Sequence, residues 1–219
     1  MIFDKQKAEA SKKNLTNADL QNVDLQEADL SEGILIEACL VNCNLSEADL
    51  CEADISRANL KNARLHRTVF YRCRGKEVDF SNAILTQANL VEANFSGANF
   101  TQANLKESNI EGANLTKACF KDANMSVVNL TGVFLANANL SGVDFTNAEC
   151  IAADLCGCDL TGANLNNTYL NHADLSGANL RFALNLTCDQ LETAFISKDT
   201  LLPDSIPIIW VSNTEFKFK

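Results

Sequence analysis

The apolar residues of this chain recur at a period of five. From residue 15 to residue 180, every fifth position, here called the centre, carries a large apolar residue with two exceptions, Gly75 and Cys150. Leu fills 23 of these 34 centres and Phe fills six. The residue two positions before each centre is small, from Ala18 to Ala183. A helix would repeat its apolar residues every 3.6 positions and a strand every two, so the chain must turn at a fixed interval.

Four five-residue segments can close a square coil, and such coils can stack. The centre and the small residue then point inward, where large and small side chains interdigitate, and the other three residues point outward. Backbone groups pair between coils as in a parallel β-solenoid, at about 4.8 Å per coil. Seven of the nine glycines lie two positions after a centre, and Asn is frequent there. Both tolerate the positive φ of tight turns, so the pattern predicts an all-β solenoid over residues 14–183.

The repeated triplets carry a family resemblance. They include Ala18-Asp19-Leu20, Ala93-Asn94-Phe95 and Ala178-Asn179-Leu180. These triplets resemble the A(D/N)LXX motif of the pentapeptide repeat family. The resemblance implies a right-handed quadrilateral parallel β-helix, and 34 segments at four per coil give about 8.5 coils.

Both ends of the solenoid need cover, because a terminal coil exposes apolar side chains and unpaired strand edges. We expect residues 1–13 to form an N-terminal cap and residues 184–219 to form a C-terminal capping helix and extended tail. Thr187 and Gln190 have the spacing of a capping box, which predicts a short helix through about Phe195. Alternatively, the apolar stretch at residues 206–211 forms a homodimer contact.

Charged residues follow the period of twenty that a four-sided coil imposes. Residues 57–76 contain seven Lys or Arg and no acid, whereas residues 14–56 contain ten acids and no Lys or Arg. Two columns alternate in sign: Glu37, Arg57 and Glu77 in one, and Glu52, Arg72 and Glu92 in the other. Two further stacked pairs are Glu47 with Arg67 and Asp54 with Arg74. We interpret this basic coil as charge ladders, and the alternative is a basic binding site. Its residues are Arg57, Arg64, Arg67, Arg72, Arg74 and Lys76.

The same period predicts three interior and surface features. Asn22, Asn42, Asn62 and Asn82 should form an amide ladder. Phe80, Phe100 and Phe120 should stack on one inner face. Gly75, a centre without a side chain, predicts a local bulge or narrowing, with a hinge or binding notch as its functional interpretation.

The sequence offers little for catalysis or cofactor binding. Its two histidines, His66 and His172, lie more than five coils apart, so neither a Ser-His-Asp nor a Cys-His set can form. Phosphate-binding and dinucleotide-binding glycine motifs are absent. The nine cysteines form no CxxC pair, which favours reduced thiols in a cytoplasmic protein. No signal-peptide core or membrane-spanning stretch is found. We therefore expect a protein that is not an enzyme and has no metal or cofactor.

The charge balance narrows the class of partner. A net charge of −10 disfavours nucleic acid and anionic membranes, since both are polyanions. We expect a rigid scaffold that binds a protein partner. The family resemblance implies an alternative, an acidic DNA mimic that binds a type II topoisomerase such as DNA gyrase and protects it from quinolones or toxins. The expected mimic surface lies in residues 122–180, which contain six acids and no Lys or Arg: Asp122, Asp144, Glu149, Asp154, Asp159 and Asp174.

Overall fold

The computed structural model describes residues 4–218. Its helices are α1 (Lys5–Ala10), a 3-10 helix (Lys12–Asn14) and α2 (Cys188–Glu192). Its two extended strands, β1 (Ile208–Trp210) and β2 (Phe216–Phe218), form an antiparallel pair at the C-terminal end. Between the first two helices and α2, the chain forms short turns and single β-bridges.

The chain between the helices coils into a β-helix with four sides. Parallel bridges join residues twenty apart without a break, from the pair Asp19 and Cys39 to the pair Asn164 and Leu184. We name each side after its series of bridged residues, which repeats every twenty positions. Side A starts at Asp24, side B at Asp29, side C at Ile34 and side D at Asp19. The predicted period of twenty is therefore confirmed.

The corners are tight turns closed by a backbone hydrogen bond, except the corner from Met125 to Val128. In the first corner, the N–H of Ala18 donates to the carbonyl of Leu15 at 3.0 Å, with Asn17 between them at a φ of 58°. The residue two positions after every centre, from Asn17 to Phe182, has a positive φ. This is the third position of a turn such as type II, where Gly and Asn cost little.

The polar residue before each centre connects successive coils. The side-chain oxygen of Asp144 accepts the N–H of Thr146 at 3.0 Å, which is an Asx-turn, and also accepts the side-chain amide of Asn164 in the next coil at 3.0 Å. The bond between coils recurs on sides A and D, and the Asx-turn also occurs on sides B and C. The frequent Asn and Asp at this position therefore stabilise both the corner and the stack.

The interior is filled as the pattern predicts. Every centre is buried, including Leu90 and Leu140 with no exposed surface. The Phe column is confirmed: the rings of Phe80 and Phe100 stack at 4.9 Å, and those of Phe100 and Phe120 at 4.6 Å. The amide ladder is present in part. Hydrogen bonds join Asn22 to Asn42 and Asn42 to Asn62, and among residues 4–218 none joins Asn62 to Asn82.

The expectation of a bulge at Gly75 is wrong. Arg74 keeps regular bridges to Asp54 below and Asn94 above, and the Gly75 N–H donates to the Asn94 carbonyl at 2.8 Å. The coil does not deform because the ring of Phe95 fills the space that the missing side chain leaves.

At the N-terminal end, side chains take over hydrogen bonds that a further coil would make. Helix α1, which the sequence reading missed, begins at the N-cap residue Asp4. Glu9 accepts the N–H of Asp29 at 3.0 Å, and the ammonium of Lys5 donates to the carbonyl of Gln26 at 2.7 Å. Of the predicted N-terminal cap, residues 1–3 lie outside the described residues.

At the C-terminal end, α2 begins with the predicted capping box of Thr187 and Gln190. The helix ends at Glu192, earlier than expected, and the chain returns to the stack through a bridge between Asp174 and Phe195. The side-chain amide of Gln190 donates to the carbonyls of Leu165 and Thr168 at 2.8 and 2.9 Å. At Thr168 it replaces the backbone N–H that a further coil would supply, whereas the Leu165 carbonyl also accepts the corner N–H of Thr168.

Candidate interaction surfaces

The basic coil makes ion pairs in both directions along the stack. Arg57 pairs with Glu37 in the coil below at 2.7 Å, whereas Arg72 pairs with Glu92 in the coil above at 2.6 Å. Each arginine therefore contacts one of the two glutamates in its column. The Glu92 carboxylate raises the pKa of the Arg72 guanidinium through a hydrogen bond and its charge, and that guanidinium also lies 4.9 Å from the ring centre of Tyr71.

The remaining basic residues differ in their partners. Arg74 pairs with Asp54 at 3.3 Å, and Lys76 approaches its neighbour Glu77 at 3.7 Å. Burial opposes ionisation of Asp54, but hydrogen bonds from Ser56 and Arg74 outweigh it and lower the pKa of this carboxyl group.

Two arginines of this coil, Arg64 and Arg67, form no ion pair with the described residues 4–218. Arg67 donates to the side-chain oxygen of Gln87 at 2.9 Å rather than to Glu47. Arg64 lies on side A between Asn44 and Ile84, and within residues 4–218 no carboxylate lies within salt-bridge distance of it.

The candidate acidic surface is divided among all four sides. Asp144 lies on side A, Glu149 on side B, Asp154 and Asp174 on side C, and Asp159 on side D. Asp122 lies at a corner, where its φ is 57°. Only Asp154 and Asp174 stack directly, through a bridge between them. Residues 122–180 therefore form no continuous acidic stripe on one side.

A denser acidic surface lies at the opposite end of the solenoid, on side B and its corners. Its six carboxylates occupy two successive coils: Glu27, Asp29, Glu32, Glu47, Asp49 and Glu52. Two lysines next to α1 neutralise part of it, because Lys12 lies 2.7 Å from Asp29 and Lys13 lies 2.9 Å from Glu32. The hydrogen bond from Lys12 is the main cause that lowers the pKa of Asp29 to about 2. The sequence contains a signal for this surface, because the acidic residues at positions 27, 29 and 32 recur twenty positions later at 47, 49 and 52.

Exposed apolar side chains mark two further surfaces. Near the C-terminal end, Phe182 is 75% exposed, and Leu184 lies beside it in the lining of a cavity of about 590 Å³. On side C, Phe134 is 53% exposed and lines a depression of about 380 Å³. A third cavity of about 410 Å³ lies between Tyr169 and α2, and most of the residues that line it are Asn, Thr, Asp or Gln.

The thiols are free and mostly unreactive. All nine cysteines are unpaired. Burial raises the pKa of Cys43 to about 11 and that of Cys150 and Cys158 to about 12, so these thiols stay protonated at neutral pH. Cys43 and Cys158 occupy the small inward position, and each donates to the carbonyl of a centre residue in the coil below.

Neither a metal site nor a membrane span emerges within the part of the chain that the structure describes. No three His, Cys, Asp or Glu side chains cluster there in a way that could hold a metal ion. No helix in residues 4–218 has the length and apolar character needed to cross a bilayer.

Comparison with known proteins gives a consistent result for the fold. The trypsin-treated form of QnrB1, a plasmid-mediated fluoroquinolone resistance protein, is 16% identical over 89% of this chain and 86% of its own, with a TM-score of 0.67. At this level of identity the likeness concerns the fold. No functionally curated protein matches the sequence significantly.

Two cyanobacterial proteins are similar in sequence. HetL from Nostoc sp. strain PCC 7120, a pentapeptide repeat protein involved in heterocyst differentiation regulation, is 30% identical over 91% of this chain and 95% of its own, with a TM-score of 0.35. Rfr23 from Cyanothece 51142 is 30% identical over 43% of this chain and 63% of its own, with a TM-score of 0.40. The model for pentapeptide repeats matches eight copies, which extend from residue 6 to residue 187. With that many repeats over most of its length, the chain belongs to the pentapeptide repeat family.

Proposed function

We propose that this protein is a non-enzymatic, rigid scaffold whose sides bind a protein partner. The observation that carries the proposal is the unbroken ladder of bridges along all four sides, around an interior filled by Leu, Phe and Ala. Such a stack holds outward side chains at fixed spacings of about 4.8 Å, which suits recognition of an extended protein surface. Pentapeptide repeat proteins act in general as structural or binding proteins, which supports this proposal.

The proposal extends to the whole chain. We infer a right-handed coil over residues 14–183, an N-terminal cap formed by residues 1–13 and a C-terminal cap formed by residues 184–219. The donors that Gln190 supplies to the last coil support the C-terminal cap. The nine free thiols support a cytoplasmic location. Ile209 and Val211, both more than half exposed, support the alternative that the tail also forms a homodimer contact.

A second function, mimicry of DNA toward a type II topoisomerase, is favoured by one specific observation. The stacked carboxylates of side B, from Glu27 to Glu52, give one surface a dense negative charge in two successive coils. Asp144, Glu149 and Asp159 lie on three different sides. This separation argues against DNA mimicry by the C-terminal part of the solenoid, residues 122–180. We therefore rank this function second and place its surface at the N-terminal half of side B.

The experiment uses a photo-crosslinking amino acid at one exposed position on each of the four sides: Arg64 on side A, Tyr169 on side B, Phe134 on side C and Asn59 on side D. The scaffold proposal predicts that one protein crosslinks in cells at one or two of these sides, and that the purified protein binds this chain and loses affinity when residues on that side change. Absence of a crosslinked protein at all positions would contradict it.

A separate arm tests the topoisomerase function with purified DNA gyrase. We expect a DNA mimic to compete with DNA for the enzyme and to lose this effect when Glu47 and Glu52 are both replaced by Gln. If supercoiling and its inhibition by a quinolone are unchanged by an excess of the protein, this function is wrong while the scaffold proposal stands.

A further inference from the structure

Phe134 is not explained by the needs of the fold. It occupies the position before a centre on side C, bridged to Asn114 below and Asp154 above. On side C, Asn or Asp at this position accepts a corner N–H, as the neighbouring Asn114 and Asp154 do. A phenyl ring cannot accept this hydrogen bond, and 53% of Phe134 is exposed to solvent. A residue that breaks a local rule without a structural gain is a candidate for function.

The surroundings of Phe134 leave its ring accessible on one flank. Gly112 and Gly132 occupy two successive corners beside it, and a Cβ built on Gly132 would meet nothing within 4 Å. The resulting depression has a volume of about 380 Å³, and its lining includes Phe134, Gly112 and Asn114. We call this depression the Phe134 notch.

The charges at the Phe134 notch are negative. The carboxylates of Glu92 and Asp154 both line it. Glu92 is already paired with Arg72, whereas no Lys or Arg within residues 4–218 lies within salt-bridge distance of Asp154. Asp174 is bridged to Asp154 on the far side of the notch, and residues 122–180 contain no Lys or Arg. The notch therefore favours a cation.

We propose that the Phe134 notch binds the guanidinium group of an arginine presented by a basic segment of the protein partner. A guanidinium can lie against the face of an aromatic ring while it donates hydrogen bonds to a neighbouring carboxylate, and it is more weakly hydrated than an ammonium group. The Asp154 carboxylate accepts the N–H of Cys156 at 3.1 Å but has no ion pair within residues 4–218. It is bridged to Phe134, whose ring is exposed, so the two contacts are available side by side. This proposal rests on the scaffold function and assigns the surface and the chemistry of its partner.

The test measures binding of two small probes to the full chain by NMR: N-acetyl-arginine amide and its neutral isostere N-acetyl-citrulline amide. We expect the arginine probe to shift the resonances of Phe134 and Asp154, with a dissociation constant that rises with salt. The citrulline probe should bind more weakly by about fivefold or more, because an uncharged group loses both the cation–π and the ionic contact.

Three variants locate the site. Phe134→Asn and Asp154→Asn each introduce the residue that the repeat itself favours, so both should fold. Each should weaken binding of the arginine probe by about two- to fivefold. Ile84→Asn removes an exposed apolar side chain from the equivalent position on side A, where its bridge partners are Arg64 and Asn104, and should leave the dissociation constant unchanged.

Equal binding of the two probes, shifts that map away from side C, or wild-type affinity in Phe134→Asn would each overturn the proposal. The scaffold function fails separately, through the absence of any crosslinked and purified partner. A partner that crosslinks at Arg64 or Tyr169, together with no response to the arginine probe, would refute the notch alone.

Discussion

The ring of Phe95 occupies the space that a side chain at Gly75 would fill. The two residues are twenty positions apart and stack directly, and a Cβ built on Gly75 would overlap the Phe95 ring and lie 3.1 Å from Cγ1 of Ile55. Phe95 also packs edge-to-face against Phe70 and Phe80, at 5.8 and 5.4 Å. One large residue thus compensates for the one centre that lacks a side chain.

This relationship predicts energetic coupling between Gly75 and Phe95. Gly75→Leu alone should cost about 1–3 kcal/mol by overpacking, and Phe95→Ala alone about 3–5 kcal/mol by leaving a cavity. The double variant should be less destabilised than the sum by about 0.5–3 kcal/mol, because the new side chain enters the space that the ring leaves. Urea denaturation measures all three. The pair Gly75→Leu and Phe145→Ala, which are far apart in the stack, should be additive, and additivity in both pairs would refute the coupling.

A second prediction concerns Gln190. Gln190→Glu keeps the side-chain oxygen that accepts the N–H of Thr187 but loses the amide that donates to Leu165 and Thr168. The Thr168 carbonyl then loses its donor, the Leu165 carbonyl keeps only the N–H of Thr168, and both meet a carboxylate, so stability should fall by about 1–3 kcal/mol. Hydrogen exchange of the Leu165 and Thr168 amides should accelerate.

Thr187→Ala is the matched control for this change. It removes the helix N-cap at a cost of about 0.5–2 kcal/mol while leaving the Gln190 donors in place. It should therefore destabilise α2 with a smaller effect on exchange in the last coil. Similar exchange in both variants would mean that Gln190 acts only through the helix.

The sequence predicts the coil well because the five-residue period of the apolar residues follows directly from the four-sided geometry of the coil. If four five-residue segments close a coil, a centre residue such as Leu90 must point inward. The same geometry places residues that are twenty positions apart on top of each other. The period does not predict whether Arg72 pairs with Glu52 or with Glu92, because both carboxylates lie one coil away. The side-chain rotamer of Arg72 determines which pair forms. The compensation of Gly75 by Phe95 depends on the side-chain conformation of Phe95. The sequence pattern does not specify that conformation.

The ends were harder to predict because they leave the repeat. The sequence signal for helix α1 is weak: it consists of the N-cap residue Asp4 and a short run of helix-forming residues, Lys5–Ala10. The antiparallel pair of β1 and β2 was missed because three-residue strands alternate too briefly to stand out. The Phe134 notch combines residues from four successive coils, and its corner glycine, Gly112, looks in the sequence like any other turn residue.

A third prediction separates a satisfied hydroxyl from an unsatisfied one in the interior. The hydroxyl of Thr168 donates to the carbonyl of Phe145 at 2.9 Å, whereas the hydroxyl of Ser108 is buried without a partner in the described part of the chain. Ser108→Ala should therefore stabilise the protein by about 1 kcal/mol, because it removes a desolvated polar group. Thr168→Val, close to isosteric, should destabilise it by about 0.5–1.5 kcal/mol. Guanidinium denaturation measures both, and a loss of stability in Ser108→Ala would show that its hydroxyl finds a partner.

A fourth prediction concerns acid stability at the N-terminal end. The hydrogen bond from Lys12 depresses the pKa of Asp29 to about 2, below its ordinary value of about 3.9. The ion pair therefore contributes its stabilisation fully above about pH 4, and loses it as the pH falls toward 2. Because the pair is exposed, the contribution should be about 0.2–1 kcal/mol. Melting temperatures of wild type and Asp29→Asn should differ at pH 6 and converge near pH 2. A constant difference across this range would exclude the ion pair as its cause.

The last prediction tests the charge ladders. Arg72 stands between Glu52 and Glu92 at a corner where all three residues have φ near 55°, so a glutamate fits its backbone without strain. Arg72→Glu would remove the pair with Glu92 and stack three carboxylates at spacings of about 5 Å. We expect a loss of about 0.5–2 kcal/mol that grows at low salt, because ions screen repulsion between exposed charges. Arg64→Glu is the control, since its neighbours Asn44 and Ile84 are uncharged, and it should change stability less and with weaker salt dependence. Thermal melts at low and high salt compare the two. If Arg72→Glu melts like wild type, or loses the same stability at both salt concentrations, the ladder is not what fixes this arginine, and the basic coil is better interpreted as a binding site.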